Sequence, residues 1–226
     1  SPNALIATRH GIIWAAGSQD STAATACFAE NRWTLKTHPQ LSWGISPYGV
    51  HEALDGSLWF GAYNLVSQGT WLGGVLRFDG KALRQSSGQA WTHYTPPDAL
   101  FYIYGIGQTA DSVLWFGSVN GLRRFDGRTW TPVTDPEEFT ASSIDKIHST
   151  PGGDLWVGTR NYGAFHLVEK SWTRYDVRDG LADNMVTGIL QSGDGSTWVA
   201  TTRGISRFDG RTWTTSALPM NIRIEN

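Results

Sequence analysis

Twelve tryptophans are spread through the 226 residues of this chain, and ten of them fall on a repeat. Aligned on Trp14, Trp59, Trp115, Trp156 and Trp198, the steps are 45, 56, 41 and 42 residues. A second tryptophan follows in each unit, at Trp33, Trp91, Trp130, Trp172 and Trp213, and each of these is followed by threonine. Nine residues before the first tryptophan stands an aliphatic residue (Leu5, Val50, Ile106, Ile147, Ile189), and ten before it stands Ala4, Gly49, Gly105, Lys146 or Gly188. Each unit therefore spells four short strands in roughly 40 to 45 residues, the period of a propeller blade. The expected fold is all-β: a β-propeller of five four-stranded antiparallel blades, at about 2–46, 47–102, 103–143, 144–185 and 186–226, forming one domain over 1–226.

The turns explain why these residues make hairpins. Asp-Gly at 55–56, 79–80, 126–127, 194–195 and 209–210 supplies the positive backbone φ that two-residue loops need. Strand runs such as Leu58-Trp59-Phe60 do not alternate apolar with polar, so both faces of each sheet must be covered. Blades packed face to face meet that need, and the small residues ten before the tryptophan suit leading strands crowded at an axis. Lys146 is the exception and places a charge toward the axial channel. Five whole repeats fill the sequence; if the ring closes, the first repeat is expected to pack against the fifth, with no strand from beyond Asn221 exchanged into the first repeat.

Arg77, Arg124 and Arg207 each precede Phe-Asp-Gly, which reads as a cationic stem lying over an aromatic ring with its head on a turn aspartate rather than as an anion-binding ring. Cys27 takes the same repeat position and reads as a small buried filler. The ten repeated tryptophans read as packing. Trp43 and Trp71 stand outside the frame. Trp71 lies in a nine-residue extension between the second and third strands of the second repeat, since 18 steps separate Phe60 from Phe78 where nine separate Phe116 from Phe125. An insertion confined to one blade often marks a functional surface, and this one is expected to overhang the axial mouth.

Composition narrows the function. A net charge of −2 without any Lys/Arg run argues against a nucleic-acid partner. No apolar run approaches the ~20 residues of a membrane span, and no signal-peptide pattern is visible. Six histidines without HxxxH spacing and a single cysteine predict no metal site, and no cofactor motif occurs.

The stretches LWVGTRNYGAF, GISRFDGRTWT and DGLADNMVTGI resemble the two-component regulator propeller repeat, found in sensor domains of bacterial hybrid histidine kinases and other bacterial proteins. The likeness covers the whole chain and is weakest in the first repeat. It implies a propeller, a sensor role and a periplasmic or extracellular location; the residues themselves leave the compartment open.

The function expected is a non-catalytic binding propeller for a small polar ligand, a glycan, or a peptide or protein. Its site is the end carrying the loops between second and third strands and the links between blades, with Trp43, Tyr48, Tyr63, Asn64, Trp71, Tyr104, Asn120, Asp145, Arg160, Asn161 and Arg203 as ligand-binding candidates and no catalytic residue. The alternative is a glycan-acting hydrolase or lyase, which needs converging carboxylates; Glu52 and Asp145 are the two that flank axial strands. A third reading is a structural segment of a longer sensor protein.

Overall fold

The computed structural model describes residues 1–63, 65–67, 70–80, 90–95 and 102–216. Asn64 lies outside them, as do the side chain of Trp71 and every residue after Ser216, including those beyond Asn221 where an exchanged strand would be sought.

Five antiparallel four-stranded sheets follow one another along the chain. The first blade is Pro2–Ala7, Ile13–Gln19, Thr22–Ala29 and Arg32–Thr37; the second is Ile45–Glu52, Leu58–Ala62, Val75–Phe78 and Trp91–Tyr94. The third is Ile103–Gln108, Leu114–Ser118, Gly121–Phe125 and Trp130–Pro132; the fourth is Ile144–Ser149, Leu155–Thr159, Ala164–Val168 and Ser171–Tyr175. The fifth is Val186–Gln191, Thr197–Thr201, Gly204–Phe208 and Trp213–Ser216. No α-helix occurs among the described residues. The extension in the second blade folds into a small hairpin of its own, Leu65–Ser67 paired with Thr70–Leu72, in which Val66 lies opposite Trp71.

In the first four repeats the first tryptophan joins its blade to the next. Trp14 packs on Phe78 of the second blade with ring centroids 4.8 Å apart, Trp59 on Phe116 of the third at 5.9 Å, and Trp156 on Phe208 of the fifth at 5.9 Å. These three rings are 3%, 3% and 1% exposed. Each removes on the order of 200 Å² from water, worth about 5 kcal/mol before ordering costs. Cys27 is buried beside Trp14, and burial pushes its thiol pKa up, as suits a packing residue.

The leading strands also touch their neighbours in order around the axis. Crowding there is real: a Cβ on Gly105 would come within 3.1 Å of the Ile147 nitrogen in the next blade. Gly163 opens the third strand of the fourth blade at φ 85°, and a side chain there would strike the Tyr175 carbonyl of the outer strand.

Closure, which the repeat count alone leaves open, is read from the contacts between the terminal blades. No comparable contact joins the fifth blade to the first among the described residues. Trp198, at the position of Trp14, Trp59 and Trp156, is 38% exposed, and Leu5 on the opposite free face is 73% exposed. The free face of the first blade is dished by Ala15, Gly17 and Ala26 under Trp33 and Leu35, leaving a hollow of about 290 Å³. The five blades form an arc with two lateral faces uncovered among the described residues, and on the first blade's face Ala15 stands where the inner blades carry Phe60 and Phe116.

Two unlike ends result. Leading and third strands run from the link end to the turn end. The link end carries the connections between blades and the loops between second and third strands; the turn end carries the tight hairpins.

Candidate functional site

At the turn end the acidic side chains are engaged by their own hairpins. Asp126 Oδ1 accepts the backbone N–H groups of Arg128 and Thr129 at 2.9 and 2.7 Å, and Asp209 Oδ1 accepts those of Arg211 and Thr212, both at 2.8 Å. Arg77 reaches Asp55 and Arg207 reaches Asp194, with the Arg207 guanidinium 5.9 Å over Trp198; among the described residues the role the sequence assigns is met in full at Arg207, in part at Arg77, and not at Arg124. Hydrogen bonds from Ser192 and Ser196 and from Arg207 hold the Asp194 carboxyl well below the ordinary carboxylate range.

The link end is organised differently, by a register slip that recurs in every blade. Each leading strand loses step with the second strand near its start, between Pro2 and Ala4, Ile45 and Val50, Ile103 and Gly105, Ile144 and Lys146, and Val186 and Gly188. A bulge leaves a residue unpaired and turns its side chain out of the pleat. Those residues include Tyr48, Tyr104 and Asp145, so three sequence-predicted site residues sit on the same structural device at the axial mouth. In the second blade the slip is longer and takes in Ser46–Gly49, which pushes Tyr48 out to 58% exposure.

The bulges are linked by a row of aromatic rings. Trp43 stacks on Tyr63 with centroids 4.5 Å apart and planes 16° from parallel. The stack is fixed from below, because the Ser42 hydroxyl donates to the Tyr63 carbonyl and the Tyr63 N–H donates to the Gly44 carbonyl at 3.2 Å. Tyr63 meets the edge of Tyr102 at 5.6 Å, and Tyr102 lies nearly parallel to Tyr104 at 6.3 Å. Burial pushes the Tyr104 hydroxyl pKa up, and the Asp145 carboxylate adds to this.

Beyond Tyr104 the row becomes polar. Asp145 Oδ2 accepts from Arg160 Nη2 at 3.1 Å and Nε at 3.3 Å, while the Ser143 hydroxyl donates to Oδ1. The carboxylate is thus covered, with the Asp145 side chain 14% exposed and that of Arg160 50% exposed. Next to it the ammonium of Lys146 stands 3.6 Å over the ring of Tyr48, reaching from the fourth blade to the second. Burial pushes its pKa down.

Of the predicted site residues, Trp43, Tyr48, Tyr63, Tyr104, Asp145 and Arg160 come together at this mouth. Asn120, Asn161 and Arg203 are exposed at the same end without a bond to the aromatic row among the described residues; Arg203 lies 3.8 Å from Asp183 instead. Sequence reasoning missed Tyr102 and Asp183, and placed Lys146 only in the channel. The spacing Tyr102-x-Tyr104 at the start of a leading strand was the available signal. Glu52 and Asp145 do not converge: Glu52 ends its leading strand at the turn end, where it accepts the Arg9 N–H at 2.8 Å, whereas Asp145 begins its strand at the link end. No group of three or more His, Cys, Asp or Glu able to hold a metal ion is found among the described residues.

No protein-family model matches the chain, and no curated protein matches it. Solved structures do. Virginiamycin B lyase from Staphylococcus aureus superimposes with a TM-score of 0.72 at 17% identity, covering 97% of this chain and 71% of that one. The extracellular domain of a protein described as a hybrid two-component system from B. thetaiotaomicron gives 0.59 at 15% identity, covering 96% of this chain and 34% of that one. PorZ, a bacterial surface component of the type-IX secretion system of Porphyromonas gingivalis, gives 0.67 at 15% identity over 91% and 31%. The chain spans about a third of the latter two. At these identities the likeness concerns architecture: this chain is a β-propeller of five four-stranded blades, and it has the propeller architecture in common with the extracellular domains of two-component systems and with lyases alike.

Proposed function

We propose that this propeller is a non-catalytic binding module of the sensor type, taking a small polar ligand such as a glycan or peptide at its link end. The observation that carries this reading is the aromatic row from Trp43 to Tyr104, ending on the Asp145–Arg160 pair. Trp43 and Tyr48 are 43% and 58% exposed, and large rings left open to water on bulges and links do nothing for the blade joints. Flat rings beside a few directional donors suit a ligand with one apolar face and several hydroxyl or carbonyl acceptors. A carboxylate pair of the kind a glycosidase needs is not supported by Glu52 and Asp145, which occupy opposite ends of their strands.

Two hollows described elsewhere support binding less well. That on the first blade is a bare packing face, and one of about 310 Å³ at the turn end, beside Asp111 and Asp154, lies among residues already engaged in hairpins.

The test is calorimetric titration of short oligosaccharides and peptides against the wild type and the Trp43→Ala/Tyr48→Ala variant. At least one ligand should bind the wild type, and the variant should lose about tenfold or more in affinity, as expected for an aromatic contact that matters. A wild type that binds none of them, or a variant that binds equally well, overturns the proposal.

A further inference from the structure

Lys146 is the charged residue at the mouth that has no ion-pair or hydrogen-bond partner among the described residues. Its position in the other blades is filled by Ala4, Gly49, Gly105 and Gly188, so the repeat needs no long side chain there. The nearest acid, Asp145, is already held by Arg160 and Ser143. The ammonium stands over the face of Tyr48 at 3.6 Å, with the Asp145 carboxylate acting on it at longer range.

An ammonium partly withdrawn from water over an aromatic ring is only partly compensated, and a carboxylate delivered to it forms a charge-assisted hydrogen bond. The groups around it limit what else the carboxylate belongs to. Tyr48 keeps much of its ring in water, and Trp43 on Tyr63 and Tyr102 beside Tyr104 offer two nearly parallel pairs of flat surfaces along one row. Rings repeated along a row match a chain of rings. The guanidinium of Arg160, half exposed, leaves donors for hydroxyl groups.

We propose that the link-end mouth binds an acidic oligosaccharide, with Lys146 pairing to a carboxylate on a sugar ring and the aromatic row stacking against the apolar faces of that ring and its neighbours. This rests on the reading of the link end as a binding site and names the class of its ligand. Lys146 acts as the specificity determinant: it distinguishes a charged ring from its neutral counterpart, whereas the aromatic row holds both.

The experiment uses trigalacturonate, its fully methyl-esterified form, and a glutamate-rich peptide, titrated against the wild type, Lys146→Met and Lys146→Arg. The ester keeps the shape and removes the charge; methionine keeps a long stem over Tyr48 and removes the ammonium. The wild type should bind trigalacturonate about tenfold or more tighter than the ester. Lys146→Met should bring that ratio to about one while the ester binds as before, and Lys146→Arg should restore part of the preference. Equal binding of acid and ester by the wild type, or an unchanged preference in Lys146→Met, overturns the assignment of Lys146. Tighter binding of the peptide than of trigalacturonate overturns the ligand class. Binding of the ester alone, lost on Trp43→Ala/Tyr48→Ala, would leave the link-end site standing and remove the acidic ligand, whereas binding of nothing removes both. A fall in the melting temperature of Lys146→Met with unaltered selectivity would make Lys146 a brace between blades and likewise overturn the proposal.

Discussion

The turn end and the link end of this propeller are made by the same repeat and put to opposite uses. At the turn end Asp126 and Asp209 each accept two backbone N–H groups of their own hairpin, and Asp55 and Asp194 each take an arginine from the third strand. At the link end Trp43 and Tyr48 are exposed, and Lys146 has no ion-pair partner among the described residues. The difference teaches where to look for function in a repeat fold: groups that recur in register serve the blade, and groups that appear once serve something else.

The largest effect that would sharpen this contrast comes from the turn end. Gly153 holds φ 90°, and a Cβ there would come within 2.4 Å of the Ala110 Cβ. Gly153→Val should therefore cost about 3 kcal/mol or more in chemical denaturation, through backbone strain and overlap together. Ligand binding by the fraction that remains folded should be unchanged. A loss of binding without a loss of stability would break the division between the two ends.

Acid should act on the body between the ends. Burial pushes the pKa of His38 and of His51 down to about 4, with the charges of Lys36 and Arg9 adding respectively. Their unfolded values near 6.5 are higher, so the unfolded chain takes up more protons in this window and stability falls as pH drops from 6.5 toward 4. The melting temperature should decline by about 5 °C or more between pH 7 and pH 5. A flat profile over that range would contradict the burial of both rings in the neutral form.

Smallest in stability, and most informative, is the link end. Trp43→Ala/Tyr48→Ala should shift the unfolding free energy by no more than about 1 kcal/mol, since both rings are largely exposed. A fall of several kcal/mol would mean that these rings support the fold, and the contrast between the ends would fail.

Much of this was legible in the sequence because it repeats. The tryptophan period, the Asp-Gly turns and the arginine before Phe-Asp-Gly are each written several times; Gly56, Gly127, Gly195 and Gly210 take the positive φ expected, and Arg77 and Arg207 reach turn aspartates, while Gly80 and Arg124 do not follow the pattern. The bulges were not legible, since a register slip changes which side chain leaves the pleat without changing composition; Tyr104 and Asp145 were suspected as residues, but the device presenting them was not. Nor does local sequence tell which blades meet. Trp156 and Trp198 share one repeat position, yet one is 1% exposed and the other 38%, because only the first has a following blade packed against it among the described residues.

The most direct test of the link end as the binding surface is hydroxyl-radical footprinting of the whole chain with and without saturating trigalacturonate, read by mass spectrometry at each aromatic residue. The account predicts protection of Trp43, Tyr48 and Tyr102, with Trp33 and Trp198 on the two lateral faces oxidised at the same rate in both samples. Protection confined to Trp33 or Trp198, or no protection at any link-end ring, would contradict it.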